Sequence, residues 1–306
     1  MDLTGRVAIV TGGARGIGSA CVEEMHRRGA CVVVADAGLD MGGDHPDPAV
    51  AEQMAAGLGG RVVAFSEDLT AQGAPARVVA LAMARFGAVD IVVNNAAILC
   101  DAFIFKSTTQ NFERVMAVNL LAPMALLSAA TRVMREQAKN GRAPGRIVNM
   151  VSTAGLFGNF GQAAYAASKA GMVGLTRVVA MDLARSAITC NAVAPFAATR
   201  VTESIQPANE AQAQYKQRAL SVAAEDVARL VAVLCSNSTR ATGQIFGVRG
   251  REVFLFNQAR PVRQAAVSLE IHRRDAELRQ LIDAEWLTGY TDLATDLEYF
   301  NTEPVI

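Results

Sequence analysis

Short apolar runs and longer amphipathic stretches alternate from the start of the chain. RVAIVT (Arg6 to Thr11) is followed by helical spacing from Ile17 to Arg28, and CVVVAD (Cys31 to Asp36) opens the next cycle. Further strand-like runs are RVVAFS near Val62, DIVVNN near Ile91, RIVNMVS near Ile147 and ITCNAVA near Ile188. These runs are apolar at successive positions, as expected of parallel strands covered on both faces. Helices are predicted between them at Ala49–Leu58, Ala74–Phe86, Gln110–Ala138 and Ala163–Ala184, with a later one near Glu225–Cys235. Ser107 and Gln110 have the spacing of a capping box for the long third helix. Regular βα alternation calls for right-handed crossovers. The predicted fold is therefore α/β: a doubly wound, Rossmann-type parallel sheet with helices on both faces. Ligands of such sheets bind beyond the carboxyl ends of the strands.

Two stretches break the rhythm. Gly38 to Pro48 (GLDMGGDHPDP) is a loop by its Gly, Pro and Asp content. Phe196 to Leu220 is polar and falls where a substrate-covering segment belongs. GQIFGVRGREVFLF then supplies a last strand with the look of a hairpin. Residues 1–258 are expected to form one dinucleotide-binding catalytic domain, and 259–306 a charged, helix-prone extension carrying Trp286, Tyr290, Tyr299 and Phe300. A lid and an oligomer contact are equally good readings of that extension.

Composition narrows the function. The chain has 306 residues, 51% of them apolar, enough for a large core. Lys and Arg total 29 and Asp and Glu total 29, so charge gives no reason to expect nucleic acid or an anionic membrane as partner. No uninterrupted apolar run of about 18 residues suggests a membrane span. The five cysteines are odd in number, widely spaced and without a C-x-x-C pair, and only three histidines are present. Neither a disulfide framework nor a metal site is expected. Cys21, Cys31, Cys190 and Cys235 read as core residues, whereas Cys100 lies beside a candidate active-site loop. The N-terminus leads directly into a strand without a signal-peptide pattern, so a cytoplasmic location is expected.

TGGARGIG, Thr11 to Gly18, follows the first strand and opens the first helix. Gly12 suits a tight turn, Gly16 a close approach to a pyrophosphate, and Gly18 close helix packing. The free N–H groups of the helix N-terminus face the anion, which makes Arg15 and Ile17 candidate contacts as well. Asp36 ends the second strand, where a carboxylate holds the ribose hydroxyls of NAD. A 2′-phosphate about 4 Å away would be repelled by about 4 kcal/mol at an effective dielectric near 20, so NAD is the expected cofactor. Arg15 is placed to offset part of that charge. Asp68, followed by Leu69, is a candidate for the adenine edge; a turn or helix-cap role fits it as well. Asn94, Asn95 and Ala96 at the end of the fourth strand are candidates for cofactor contact or loop bracing.

Tyr165 and Lys169 share a helix face in YAASK. A phenol with an ordinary pKa near 10 is a poor base at neutral pH. A neighbouring ammonium is expected to lower it, the positive nicotinamide of NAD adds to that, and a fall of about 2–3 units would suffice for general-base catalysis. Ser152 ends the fifth strand and reaches the same point if the glycine-rich TAGLFGNFGQAA turns the chain back. A nucleophilic serine is disfavoured: no G-x-S-x-G elbow surrounds it, and His26, His45 and His272 occupy no triad position. Asn119 lies in a long apolar helix, as a bend or a buried cap.

With these residues in place, the sequence resembles the short-chain dehydrogenase/reductase family from Leu3 to about Val248. TGGARGIG, NNAA (Asn94 to Ala97), VNL around Asn119, Ser152 and YAASK match in identity, order and spacing. The resemblance implies hydride transfer between NAD(H) and a secondary alcohol or ketone, with Asn119, Ser152, Tyr165 and Lys169 as the catalytic group. It implies that Asn119 kinks its helix and holds a water in a proton relay through Lys169, and that Asn94 meets the cofactor. Pro195 and Thr199 would contact the nicotinamide end. Family members usually assemble as homodimers or homotetramers through the two long helices. Ala97 and Phe196 stand where the family has glycines. AAILCDAFIFK, GLFGNFGQAAYAASKAG, NAVAP and the long loop after Asp36 bring the chain nearest to the (3R)-hydroxyacyl-CoA dehydrogenases of the family. That implies a 3-hydroxyacyl-CoA substrate, for which Arg200, Lys216 and Arg218 are candidate contacts. A hydroxysteroid or small cyclic alcohol is the alternative substrate, and a non-catalytic NAD-binding protein the alternative class.

Overall fold

The computed structural model describes residues 2–198, 202–203, 207 and 210–257. In chain order its elements are β1 (Val7–Thr11), α1 (Gly16–Arg27), β2 (Cys31–Ala35), α2 (Ala49–Leu58), β3 (Val62–Phe65), α3 (Ala74–Phe86) and β4 (Ile91–Asn94). There follow α4 (Thr109–Met116), α5 (Ala122–Lys139), β5 (Arg146–Met150), α6 (Ala154–Phe157), α7 (Ala163–Asp182), β6 (Thr189–Phe196), α8 (Glu210–Leu220), α9 (Ala224–Leu234), β7 (Ile245–Arg249) and β8 (Glu252–Phe256). The strands form one sheet in the order β3-β2-β1-β4-β5-β6-β7-β8. All neighbours are parallel except β7 and β8, which make the expected hairpin. The strand order reverses between β1 and β4, which opens a crevice at their carboxyl ends.

Each strand is apolar on both faces because both are covered. Ala8 and Val10 of β1 point into a core shared with Cys21 and Met25 of α1 and Val227 and Val231 of α9. Val7 and Ile9 point into the opposite core, with Val78 of α3, Leu126 and Met134 of α5, and Ala180 of α7. Cys21, Cys190 and Cys235 are buried as expected, and Cys31 is half-buried.

The third long helix bends at Asn119, as the resemblance implies: between Gln110 and Ala138 it passes through a π-helical turn over Ala117–Leu121. The expected capping box is displaced. Thr108 caps α4, its hydroxyl accepting from the Asn111 N–H at 3.2 Å, while the Ser107 hydroxyl donates to the Ala102 carbonyl. Thr109–Lys139 is the one stretch among the described residues apolar and long enough to cross a membrane. Its buried side chains Val115, Leu126, Leu127, Ala130 and Met134 pack into the cores of this sheet.

The amino ends of the central strands are closed by charge. Asp90 is fully buried; its carboxylate accepts from Arg142 Nε and Nη2, each at 2.6 Å, and from the Val7 N–H at 2.8 Å. Arg6 lies 3.9 Å from the same carboxylate and donates to the Pro144 carbonyl and Asn237. Arg146 donates to the carbonyls of Pro144, Gly145, Ser236 and Asn237.

Candidate active site

A cavity of about 600 Å³ occupies the carboxyl ends of the strands. Among the residues named from sequence, Gly12, Arg15, Gly16, Ile17, Asp36, Asp68, Leu69, Asn94, Asn95, Ala96, Ser152, Tyr165, Lys169 and Pro195 all line it. Gly18 and Asn119 stand behind the wall; Thr199 and Arg200 lie outside the described residues, as does the 259–306 extension.

The glycine turn is built by crowding. Gly12 has φ +59°, and a Cβ there would meet the Ala96 Cα at 2.9 Å. A Cβ on Gly18 would fall 1.9 Å from the Gly12 carbonyl oxygen, so the first turn of α1 rests directly on the loop before it. Asn95 completes the brace, donating through Nδ2 to the carbonyls of Thr11 and Gly12, both at 3.0 Å. The Thr11 hydroxyl accepts from the N–H groups of Asn95 and Ala96. The Asn95 side chain is thus committed to holding the turn, and only the surface it leaves on the cavity is open to a ligand. Asn94 takes the bracing role that the sequence offered for it. Its side chain turns into the sheet and donates to Asn149 at 2.8 Å. Asn149 in turn donates to Thr176 of α7 at 2.9 Å, so the Asn94 amide nitrogen braces β4 against β5 while the residue still lines the cavity.

Asp36 is held at the mouth of the crevice by backbone donors, Ala14 N–H at 3.0 Å and Gly38 N–H at 2.9 Å, one to each oxygen. Each oxygen keeps acceptor capacity for a hydroxyl. Arg15 does not pair with it; its guanidinium reaches the carbonyls of Gly38 and Leu39. Asp68 uses one oxygen on the Thr70 N–H at 2.8 Å and still lines the cavity, so its turn role and its exposure to a ligand coexist. The loop after Asp36 forms the outer wall through Leu39, Asp40 and Met41. It is tied down by the Leu99 N–H donating to the Met41 carbonyl at 2.8 Å and by Arg114, which bonds the Gly43 carbonyl and Asp44.

At the other end of the cavity, Ser152 from the end of β5 and the Tyr165 phenol from α7 line the same space, with the serine hydroxyl near enough to favour the phenolate. The Lys169 ammonium is 5.5 Å from the centre of the Tyr165 ring and donates to the Met150 carbonyl at 2.8 Å. The glycine-containing segment between Ser152 and Tyr165 does fold back, through the short α6. The protein's own groups push the phenol upward. Burial pushes the Tyr165 phenol up to about 12; the Ser152 hydroxyl works against this, and Asp101 adds to it. Burial also pulls Lys169 down to about 8, since an enclosed ammonium loses hydration. The chain's own groups therefore hold the phenol protonated at neutral pH rather than depressing its pKa. That favours proton donation to a ketone.

Asn119 explains the π turn. Its side chain accepts from the Ile98 N–H at 2.9 Å and donates to the Ile98 carbonyl at 3.1 Å and to the Ser168 hydroxyl at 3.3 Å. It thereby fixes the loop after β4 against α7, next to Lys169. Ala97 is exposed on the cavity wall, where its methyl has room; Phe196 is buried and narrows the wall beside Pro195. Lys216 donates to the Glu203 carbonyl at 2.6 Å. Sequence reasoning missed Asn159, Gln162 and Asp101, which line the substrate end. An acidic residue inside the apolar AAILCDAFIFK was the only signal for Asp101.

The family model for short chain dehydrogenases matches residues 6–213. The chain is a short-chain dehydrogenase/reductase. It is thus an oxidoreductase on a fold that binds a nicotinamide dinucleotide, and the crowded glycine turn, the cavity and the ligand-ready Asp36 fit that group. The dehydrogenase is 35% identical over 251 residues to 3-oxoacyl-[acyl-carrier-protein] reductase of Synechocystis, covering 81% of this chain and 97% of that one. It is 34% identical over 247 residues to peroxisomal multifunctional enzyme type 2 of Mus musculus, covering 80% of this chain but only 31% of the mouse enzyme. A solved short chain dehydrogenase from Mycobacterium avium superposes with a TM-score of 0.76 at 33% identity, over 92% of this chain and 96% of that one.

Proposed function

We propose that the dehydrogenase interconverts a 3-hydroxyacyl thioester and its 3-oxo form with NAD(H). The observation that carries the reaction is the meeting of Ser152, Tyr165 and Lys169 in one cavity with the glycine turn. Bound nicotinamide supplies the hydride acceptor or donor. Tyr165 exchanges the proton of the substrate oxygen, Ser152 orients that oxygen, and Lys169 keeps a positive charge against the ring. NAD is preferred because Asp36 carries its charge at the ribose position without an arginine partner from the turn. The acyl thioester reading draws on the Synechocystis relative, whose name states a 3-oxoacyl carrier-protein substrate. Exposed Leu121 and Met124 beside α4 and on α5, with Val178 and Met181 on α7, suit a homodimer or homotetramer built on these long helices. A cytoplasmic location accompanies this reading.

Replacing Tyr165 with Phe is expected to lower turnover at least about 100-fold while leaving NAD affinity within a few-fold. Unchanged turnover would reject the assignment. Rates on a 3-hydroxyacyl-CoA and on smaller neutral secondary alcohols, followed by NADH absorbance, test the substrate class. Equal efficiency across them would remove the thioester from the proposal.

A further inference from the structure

Asp101 is a carboxylate at the reacting end of the cavity that the proton chemistry above does not use. It belongs to the loop after β4 and lines the same cavity as Ser152 and Tyr165. Gln162 Nε2 donates to its Oδ2 at 2.8 Å, and Gln162 Oε1 accepts from Asn159 at 2.9 Å. The main chains of the two loops are joined as well, the Ala102 N–H donating to the Gly161 carbonyl at 2.7 Å. Asp101 is therefore fixed to the segment that enters α7 just before Tyr165.

Among the described residues no cation is paired with it. Its side-chain hydrogen-bond partner is the uncharged Gln162 amide, and burial, partly offset by that amide, raises its carboxyl above the usual carboxylate range. The basic residues that line the cavity are Arg15, on the carbonyls of Gly38 and Leu39, and Lys169, on the Met150 carbonyl. The carboxylate nonetheless acts at the centre, since it works against ionisation of the Tyr165 phenol. Among the described residues, the charged and titratable neighbours of that phenol are thus Lys169 from its own helix and Asp101 from the facing loop, with the Ser152 hydroxyl between β5 and α6 favouring the phenolate. A field that penalises a phenolate penalises any other anion placed there.

We infer that Asp101, held by Gln162, is a specificity residue that screens substrates by charge: it admits an alcohol or ketone whose neighbouring group is neutral and turns away one that carries a free carboxylate. The inference rests on the alcohol–ketone reading of Tyr165. It adds a reason for the reacting acyl group to arrive esterified. Two unit charges a few ångströms apart at an effective dielectric near 20 repel enough for about tenfold discrimination or more.

The test uses the whole chain and matched pairs: 3-hydroxybutyrate with its methyl ester, and 4-hydroxycyclohexane carboxylate with its methyl ester. The second pair does not depend on the acyl reading. In the unaltered protein each ester is expected to exceed its acid in kcat/KM by about tenfold or more. Asp101→Asn should raise the acid alone and bring each ratio within about threefold, and Asp101→Glu should restore most of the discrimination. Asp101→Asn should also move the acid limb of the oxidation profile to lower pH, because the phenolate loses a repelling neighbour. A purely structural role for Asp101 would change both members of a pair alike and leave that limb in place. Esters turned over without discrimination against the acids, or discrimination that survives Asp101→Asn, overturn the charge screen while the reading of Tyr165 stands. No turnover of any of the four compounds fails that reading, and the screen with it.

Discussion

At the amino ends of β1, β4 and β5, Arg6, Asp90, Arg142 and Arg146 fill the space between strands, and nearly every polar atom there has a protein partner. At the carboxyl ends of the same strands, Asp36, Asp68 and Asp101 keep acceptor capacity or charge that the described residues leave unmatched, around a cavity of about 600 Å³. Both ends pack charge close to the sheet. The contrast teaches that burial of charge by itself says little about function. An arginine whose donors end on carbonyls is finished, whereas a carboxylate bonded to a backbone N–H or an amide still has something to offer a ligand.

Substitutions should separate the ends. Asp90→Asn leaves Arg6 and Arg142 without their counter-charge and should cost about 3–5 kcal/mol in denaturant unfolding, while the folded fraction keeps its turnover. A mild loss of stability would mean the closed end is less coupled than its hydrogen bonds suggest. Tyr165→Phe should do the reverse, losing turnover at least about 100-fold with a melting temperature close to the parent. A joint fall in both would blur the division. The pH response of the open end follows from the phenol standing at about 12. Oxidation needs the phenolate and should rise with pH by up to about tenfold per unit, whereas ketone reduction uses the phenol and should stay flat through neutrality. Initial rates in both directions over a buffer series check this; a falling oxidation rate above neutrality would contradict it. Asp36→Asn should shift the NAD to NADP preference by about tenfold or more toward NADP, as read from the two kcat/KM values. Thr108→Ala removes the cap of α4 and should cost about 1 kcal/mol without altering either end's chemistry.

Most of the frame was legible because it is local. Ala49–Leu58 and Ala74–Phe86 begin and end where periodicity and the flanking loops place them. What escaped depends on partners distant in sequence. The bend at Asn119 was expected, but its cause was not: an amide side chain answers both backbone groups of Ile98, which no helical periodicity encodes. Thr108 takes the cap from Ser107 because Ser107 is already spent on Ala102. Asn94 was readable as a brace or a cofactor contact, but only the fold shows that its brace partner is Asn149 on the neighbouring strand. The upward push on the Tyr165 phenol escaped for a related reason: a sequence shows the ammonium four residues away but not how much water the fold removes. The Ser152, Tyr165 and Lys169 grouping survived because each sits at a strand end or on one helix face, positions that the pattern does define.

The short main-chain link between Ala102 and Gly161 has a practical side. It makes the segments after β4 and before α7 a single stitched ribbon, although they lie far apart along the chain. Grafting only one of them onto another scaffold would strand an amide with no acceptor and cast off the other segment's anchor. Recombination aimed at new selectivity should therefore exchange the two segments together, as one cassette.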